Sequence, residues 1–317
     1  MKMKENLQKK IDSKQIVITE NNMGQRIDNF LVRYFGKVPN SRIYQMLRRG
    51  EVRVNRGRIK PHYKLKINDV IRIPPVFINE KQSLKPNRSL QKTILDSIIF
   101  EDEGIVVINK PSGIVVHSGS RQSHGVIEAF RAVGSEYQSL ELAHRLDKDT
   151  SGCLILAKNI PTLRKLQKSL QDKKSIKTYT ALLSGKMVKI KKIIKSPLKK
   201  NIVSSGEHMV TIDKFGKSAS TVFFRERMFK DTTLVKIELM TGRTHQIRVH
   251  SASTGNFIVG DKKYGDRSVN NKFRNLGLKR MFLHAKSLNF ISPITKKRLI
   301  IEADLGRDLV DFLKRLD

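Results

Sequence analysis

The stretch His144-Arg145-Leu146-Asp147-Lys148-Asp149-Thr150-Ser151-Gly152 is followed at once by the apolar run Cys153-Leu154-Ile155-Leu156-Ala157. A short apolar run ahead of a helix-like segment predicts a buried strand. The charged cluster therefore lies on a loop beside rigid structure, where functional side chains are often found. Asp147 stands close to Arg145 and Lys148, and their charges favour an ionised carboxylate, ready to act as a nucleophile or base. The alternative is a structural ion pair between Arg145 and Asp147 in an ordinary loop.

Composition limits the classes of protein that this chain can belong to. It has 317 residues, 38% of them hydrophobic, which is enough for one large domain or two ordinary ones. No stretch approaches the roughly 20 apolar residues of a membrane span, and no apolar segment follows the charged N-terminus as in a signal peptide. The single Cys153 argues against a disulfide framework and a cysteine-built metal site. We therefore expect a cytoplasmic protein.

The formal net charge of +34 suggests a polyanionic partner. RNA, DNA and an anionic membrane are the candidates. The whole sequence is rich in Lys, Ile and Asn, and a general bias of this kind raises the net charge, through Lys, without any functional need. The charge therefore supports a nucleic-acid partner without identifying one.

Residues 1–75 predict a basic arm followed by a small domain. The arm, residues 1–23, is polar and ends in a short strand around Ile16-Val17-Ile18. Residues 24–75 predict two helices and a small sheet, with Ser41 as the N-cap of the second helix. We expect four arginines of this region to contact RNA phosphates, although a merely solvated basic face is the alternative. They are Arg42, Arg48, Arg49 and Arg53.

Residues 76–93 lack apolar periodicity and predict a flexible linker. The strand-rich segment 94–317 follows and carries two further stretches of interest on the way to a C-terminal amphipathic helix. In Asn109-Lys110-Pro111-Ser112-Gly113 a tight turn is expected, with Lys110 available to a phosphate. In Lys177-Thr178-Tyr179-Thr180-Ala181-Leu182-Leu183 an alternating strand presents Tyr179, whose ring can stack on a base and whose phenol can exchange a proton.

The last stretch is Thr241-Gly242-Arg243-Thr244-His245-Gln246-Ile247-Arg248-Val249-His250. Thr244 is a candidate cap for a helix that begins there. His245 and His250 are five positions apart, too far round a helix to share a metal, and we interpret both as structural. No cluster of residues at ligand spacing appears elsewhere, so no metal site is expected.

Taken together, these motifs resemble the pseudouridine synthases that modify ribosomal and transfer RNA. The signature H-R-L-D-x-x-T-S-G at 144–152 is the main link, supported by N-K-P-S-G at 109–113, K-x-Y-x-A-L at 177–182 and G-R-T-H-Q-I-R-V-H at 242–250. The segment from Gly24 to Ile73 resembles the S4 RNA-binding domain. Four more stretches resemble a single subtype within the family. They are 24–31, 58–61, 73–75 and 198–202.

The resemblance implies an α+β fold: an N-terminal S4 domain and a larger mixed, mainly antiparallel sheet with flanking helices and a central cleft. It also implies that Asp147 is catalytic, that Arg248 pairs with it, that Tyr179 contacts uracil and that Arg145 helps to hold the flipped nucleotide. The expected reaction converts uridines of 23S ribosomal RNA to pseudouridine without a cofactor, and we expect a monomer. The competing hypothesis is a non-catalytic RNA-binding assembly factor that uses the same S4 domain.

Overall fold

The computed structural model describes residues 8–36, 38–79, 86–118, 124–172, 174–202 and 208–316. The chain divides into two compact units, Met1–Lys85 and Pro86–Asp317. In the described residues, no helix has the length and apolar character needed to cross a membrane.

In its described residues, the N-terminal unit contains two helices, a three-stranded antiparallel sheet in the order Lys14–Val17, Val70–Ile73, Arg53–Val54, and a ribbon of Gln8–Ile11 with Val76–Asn79. Its core is formed by the apolar faces of both helices against the sheet, with Leu31, Met46 and Ile71 fully buried. Its elements in chain order are β1 (Gln8–Ile11), β2 (Lys14–Val17), α1 (Ile27–Phe35), α2 (Asn40–Arg49), β3 (Arg53–Val54), β4 (Val70–Ile73) and β5 (Val76–Asn79). The helices predicted here are confirmed, but Ser41 is not the cap, because α2 begins at Asn40 after Pro39.

The predicted linker 76–93 is wrong at both ends. Val76–Asn79 pairs with β1 in an antiparallel ribbon. A segment of four residues is too short for its hydrophobic periodicity to predict a strand. At the other end, the Asn87 side chain accepts a hydrogen bond from Leu90 N and starts a helix at Arg88. Residues 80–85 lie outside the described residues, as do residues 1–7 of the predicted arm.

The C-terminal unit is built on a ten-stranded sheet with the central order β11-β14-β15-β10-β16-β9-β7-β6, and with β17 beside β16 and β8 beside β9. Among the described strands, the β9–β16 pair alone is parallel, so the expectation of a mixed, mainly antiparallel sheet is confirmed. The elements are α3 (Arg88–Leu95), β6 (Ile98–Glu101), β7 (Ile105–Lys110), α4 (Val126–Val133), β8 (Glu141–Leu142), β9 (Ser151–Ala157), α5 (Ile160–Gln171), β10 (Ile176–Ser184), β11 (Lys191–Lys195), β12 (Leu198–Ile202), β13 (His208–Ile212), β14 (Ser220–Met228), β15 (Thr232–Leu239), α6 (Gln246–Ala252), α7 (Arg267–Asn275), β16 (Leu283–Ile291), β17 (Arg298–Glu302) and α8 (Arg307–Lys314).

Strand β9 lies in the middle of this unit, and every one of its residues is buried. Its side chains alternate between two cores, as the twofold period of a strand requires. Leu154 and Leu156 pack in the core that also holds Tyr179, whereas Cys153 and Ile155 pack in a second core beside α5. The prediction of a buried strand directly after the charged loop is therefore confirmed.

Gly152 sets the distance between β9 and its parallel neighbour β16. Its φ is +110°, a conformation that L side chains rarely adopt, and it stands opposite Ala285 in the register. A Cβ at this position would lie 2.2 Å from the Ala285 carbonyl oxygen. The backbone of Ala285 cannot move aside without disturbing β16, so glycine is required at the point where the charged loop enters the sheet.

We predict that Gly152→Ala lowers the free energy of unfolding by more than about 3 kcal/mol, because a backbone clash adds to the strained φ. Gly255→Ala is the matched control. Gly255 also has a positive φ, +75°, but a Cβ added there would meet no atom within 4 Å, so only the strain of the backbone remains. The control should cost about 1–2 kcal/mol. Urea unfolding followed by circular dichroism measures both, and equal losses would contradict the role given to Gly152.

Candidate active site

A cleft of about 790 Å³ opens in the C-terminal unit. Four residues predicted from the sequence line it together, although up to 103 positions separate them in the chain. They are Arg145, Asp147, Tyr179 and Arg248. The charged loop, strand β10 and the start of helix α6 each supply part of the wall.

Asp147 lies on the loop before β9 with its side chain 26% exposed, so its carboxylate can meet a bound molecule. The loop is closed by a turn in which Thr150 N donates to Asp147 O at 3.2 Å. One carboxylate oxygen, Oδ2, accepts a hydrogen bond from Arg248 Nη1 at 3.1 Å. The structure thus brings together the two charged residues that the sequence motifs suggested as partners.

The turn at residues 109–113 holds the Asp147 loop from the side. Lys110 pairs with Gly152 in the β7–β9 register, which places this turn next to the loop. Gly113 N donates to Lys148 O at 2.9 Å, and Ser112 Oγ donates to Asp149 O at 2.7 Å. These bonds fix the main chain on the C-terminal side of Asp147 and leave its side chain free to face the cleft.

Lys110 does not lie where a phosphate could reach it, and the prediction that it binds RNA is wrong. Its side chain is fully buried, and Nζ donates to the carbonyl oxygens of Pro111, Ile114 and Lys148 at 2.8, 2.9 and 3.1 Å. Burial lowers the pKa of Lys110 to about 7, against the opposing charges of Asp149 and Asp147. The apolar strand β7 carries this lysine into the interior, where three carbonyl groups satisfy it.

Arg248 is nearly buried on α6, and most of its hydrogen bonds go to a residue that the sequence analysis missed. Nε and Nη2 bind Asp261 Oδ2 and Oδ1, both at 2.8 Å, which leaves Nη1 for Asp147. Burial alone would lower the pKa of Arg248, but the hydrogen bonds and charge of Asp261, together with Asp147, raise it. Arg248 is therefore a permanent cation whose bidentate fork is oriented by Asp261 rather than by Asp147.

Asp261 is a residue of the site that the sequence did not predict. Its side chain is 1% exposed, and Oδ1 also accepts from Lys263 N and Tyr264 N at 2.9 and 3.0 Å. Burial would raise the pKa of Asp261, but Arg248 and these backbone donors lower it. The one available signal was an acidic residue shortly after the apolar run that ends at Val259, and no spacing rule relates it to Arg248.

His245 lies at the start of α6 and also faces the cleft. It has a left-handed backbone, with φ of 53°, and serves as the N-cap residue without a capping side-chain bond. Its Nδ1 lies 2.7 Å from the Tyr264 hydroxyl, and its Nε2 lies 3.7 Å from Asp147 Oδ1. The predicted cap, Thr244, is wrong; the Gln246 side chain closes this turn instead, by accepting from Arg243 N at 3.0 Å.

His250 and His144 have structural roles, because each ring is hydrogen-bonded within the fold. His250 is fully buried between Thr221 Oγ1 and Ser196 O, at 2.8 and 2.9 Å. His144 Nε2 accepts from Ile155 N at 3.2 Å, and burial lowers the pKa of His144 to about 3, so the ring is neutral. Among the described residues, no group of three or more His, Cys, Asp or Glu side chains is placed to hold a metal ion.

Tyr179 and Arg145 both line the cleft but differ in exposure to solvent. Tyr179 is nearly buried on β10, and burial, with the charge of Asp147, raises the pKa of its phenol. The phenol therefore stays protonated at neutral pH and can donate a hydrogen bond. Arg145 is exposed, and among the described residues its guanidinium has no ion-pair partner. Its position suits contact with a bound polyanion.

The four arginines singled out in the N-terminal unit differ in their surroundings. Arg42 forms a bidentate pair with Glu51, at 3.1 and 2.7 Å. Arg53 is exposed, and its Nε donates to Gly50 O at 3.3 Å. Arg48 and Arg49 are exposed on the last turn of α2, and no side-chain partner lies near either in the described part of the chain. These two are the best placed of the four to meet phosphates.

We predict that Asp261→Asn destabilises the protein more than Asp147→Asn does. The first change removes the bidentate partner of a buried guanidinium and should cost about 3 kcal/mol or more. The second replaces the charge-assisted hydrogen bond of a partly exposed carboxylate with a neutral one and should cost about 1 kcal/mol. Urea unfolding of both variants measures the difference. A loss at Asp147→Asn as large as that at Asp261→Asn would show that the guanidinium depends equally on both carboxylates.

Comparison with known proteins identifies the families to which both units of the chain are similar. The RNA pseudouridylate synthase family matches residues 104–253, and the S4 domain family matches residues 25–71. The human protein RNA Pseudouridylate Synthase Domain Containing 4 has the same fold in its solved structure, with a TM-score of 0.59 at 24% identity over 72% of this chain and 95% of that chain.

Two curated relatives are similar along almost their whole length. Ribosomal large subunit pseudouridine synthase C of Pasteurella multocida (strain Pm70) is 47% identical over 305 residues, which cover 96% of this chain and 94% of that protein. The protein of the same name from Escherichia coli (strain K12) is 46% identical over 307 residues, 96% of each chain. Synthase C is also the subtype that the four additional stretches resembled. With similarity of this extent, the chain belongs to the RNA pseudouridylate synthase family and carries an N-terminal S4 domain.

Proposed function

We propose that this protein isomerises specific uridines of 23S ribosomal RNA to pseudouridine, with Asp147 as the reacting carboxylate. The observation that carries the proposal is the position of Asp147. Its partly exposed carboxylate lies in the cleft, bound through Oδ2 to a buried cation, and the same cleft is lined by a protonated tyrosine. The curated relatives, whose names refer to the large ribosomal subunit, support the choice of RNA.

The reaction breaks the N1–C1′ bond of a uridine, turns the uracil and rejoins it through a C5–C1′ bond, while the proton lost from C5 is balanced by one gained at N1. Because this is an isomerisation, it needs neither a redox cofactor nor an energy source. The target uridine must leave its stack to enter the cleft, at a cost of a few kcal/mol that backbone contacts offset. A volume of about 790 Å³ falls in the range of ordinary ligand sites and leaves room for a nucleotide.

The residues of the cleft have distinct proposed roles. Asp147 acts first, by attack at C1′ or by removal of the C2′ proton. Arg248 holds the carboxylate in place and balances its charge. Tyr179, protonated, donates a hydrogen bond to uracil, and Arg145 at the exposed edge holds the flipped nucleotide or fills the vacated stack.

The two domains have separate roles. Residues 24–75 bind RNA and residues 94–317 carry out the chemistry, in a monomeric cytoplasmic enzyme without a cofactor. Exposed cations of the S4 domain supply affinity and placement on the RNA, since Lys and Arg displace counterions from the phosphate backbone.

We predict that Asp147→Asn abolishes pseudouridine formation and leaves RNA affinity nearly unchanged. The amide has almost the shape of the carboxylate but can act neither as nucleophile nor as base. Pseudouridine formed per mole of enzyme is measured on 23S ribosomal RNA from cells that lack the protein, alongside a binding titration. Substantial turnover by the variant would exclude Asp147 as the reacting group. Tight binding by a wild-type protein that forms no product would favour the assembly-factor hypothesis.

We also predict that Arg48→Ala combined with Arg49→Ala weakens RNA binding and reduces its salt dependence. Removing two phosphate contacts should lower the slope of log K against log salt by about 1–2. Arg42→Ala is the matched control from the same helix, because Arg42 is already paired with Glu51 and should change the slope little. Equal slopes for the double variant and the wild type would remove this face from the RNA-binding surface.

A further inference from the structure

We propose that His245 is a positioning residue for Asp147: it presents a fixed Nε2–H to Asp147 Oδ1, and Tyr264 selects the tautomer that carries this proton. The inference rests on the proposed function for its catalytic meaning, whereas the tautomer itself is a property of the free protein. It assigns different partners to the two oxygens of the carboxylate, Arg248 to Oδ2 and His245 to Oδ1.

The hydroxyl of Tyr264 decides where the imidazole proton lies. Val210 N lies 3.0 Å from this hydroxyl, and a backbone N–H can only donate, so the phenol oxygen accepts there. A phenol has a single proton to give. The short contact of 2.7 Å to His245 Nδ1 is then an O–H···N bond in which Nδ1 accepts. In the neutral ring the proton must consequently lie on Nε2, the nitrogen that faces Asp147.

The opposite tautomer, with the proton on Nδ1, would leave the hydroxyl proton of Tyr264 without an acceptor in the part of the chain that the structure describes. If Nδ1–H donated to Tyr264, the phenol oxygen would accept twice and its own proton would need another acceptor. Among the described residues, no third polar atom lies within hydrogen-bond distance of the hydroxyl. Nε2 would then be an unprotonated nitrogen facing a carboxylate oxygen, with two lone pairs opposed.

The surroundings hold His245 still and keep it neutral. The ring packs edge-on against Tyr264, with centroids 5.3 Å apart, and the Arg248 guanidinium lies 5.0 Å from the centroid of the same tyrosine ring. Burial lowers the pKa of His245; Asp147 and Asp261 oppose the shift, while Arg248 and Lys263 add to it. A neutral ring in the Nε2–H form supplies one directed donor without a second full charge beside Arg248.

The distance to Asp147 fits a positioning role. At 3.7 Å, Nε2 is too far from Oδ1 for a hydrogen bond in the free protein, whereas Oδ2 is already bound by Arg248. Oδ1 is therefore the oxygen left to meet the substrate, and the Nε2–H that faces it can donate to it when this distance shortens. Catalytic hydrogen bonds are often long in free enzymes and shorten when the substrate binds.

The tautomer is tested on the full-length free protein by long-range ¹H–¹⁵N NMR with ¹⁵N-labelled histidine. His245→Gln identifies the His245 signals by their loss. We expect the Nε2–H tautomer in the wild type and a mixture of tautomers in Tyr264→Phe, which keeps the ring over Arg248 but removes the hydroxyl. An Nδ1–H tautomer in the wild type, or the same single tautomer in Tyr264→Phe, would overturn the inference. This measurement requires no substrate, so it tests the tautomer of His245 even if the protein forms no pseudouridine.

The positioning role is tested with a matched pair of amides in single-turnover assays on the same RNA. The Gln amide nitrogen of His245→Gln reaches the place of Nε2, whereas the Asn nitrogen of His245→Asn reaches only that of Nδ1. Asn tolerates a left-handed backbone well, which keeps the fold. We expect His245→Asn to lose about tenfold or more in rate and His245→Gln about threefold, with RNA affinity unchanged in both.

Two results would overturn the positioning role. One is a His245→Asn rate equal to that of the wild type, and the other is a His245→Gln rate as low as that of His245→Asn. Failure of the wild type to form pseudouridine would instead reject the proposed function, and the NMR result would stand separately.

Discussion

The arrangement of the cleft depends on one buried guanidinium shared between two carboxylates. Arg248 can lie in the interior because Asp261, itself held by two backbone N–H groups, accepts hydrogen bonds from Nε and Nη2. A buried cation without such a partner would be strongly destabilising. The remaining nitrogen, Nη1, points at Asp147, so Asp261 orients the arginine and the arginine orients the carboxylate. The charge that Asp147 needs nearby is present before any substrate binds.

The main chain around Asp147 is fixed as firmly as the guanidinium. Lys110, Ser112 and Gly113 donate to the carbonyls of residues 148 and 149, and Gly152 allows the loop to enter the sheet directly against Ala285. The motifs at 109–113 and 144–152, about 35 residues apart in the sequence, therefore contact each other and together fix the loop that carries Asp147. On this loop the side chain of Asp147 and the exposed Arg145 are left to face a ligand. A rigid loop with one open carboxylate suits chemistry on a nucleotide that must itself be pulled out of structured RNA.

Much of this could be predicted from the sequence, and the failures have physical causes. The run 153–157 predicted the central strand because a fully buried strand is apolar at every position, and the helices of the S4 domain followed from their apolar faces. Lys110 was misjudged because a charged residue at the end of an apolar strand is expected to be exposed unless its carbonyl partners are known. Asp261 was missed because its partner is 13 positions away on another element. The ribbon at 76–79 was missed because its pairing with residues 8–11 is long-range.

The activity proposed for this cleft is the modification of uridines of 23S ribosomal RNA in the cell. The most direct measurement is a pseudouridine map of that RNA, by chemical labelling and primer extension, from cells with and without the protein. We expect a small set of uridines to lose the modification when the protein is absent and to regain it when the wild-type gene is restored. Identical maps from the two kinds of cell would exclude this activity.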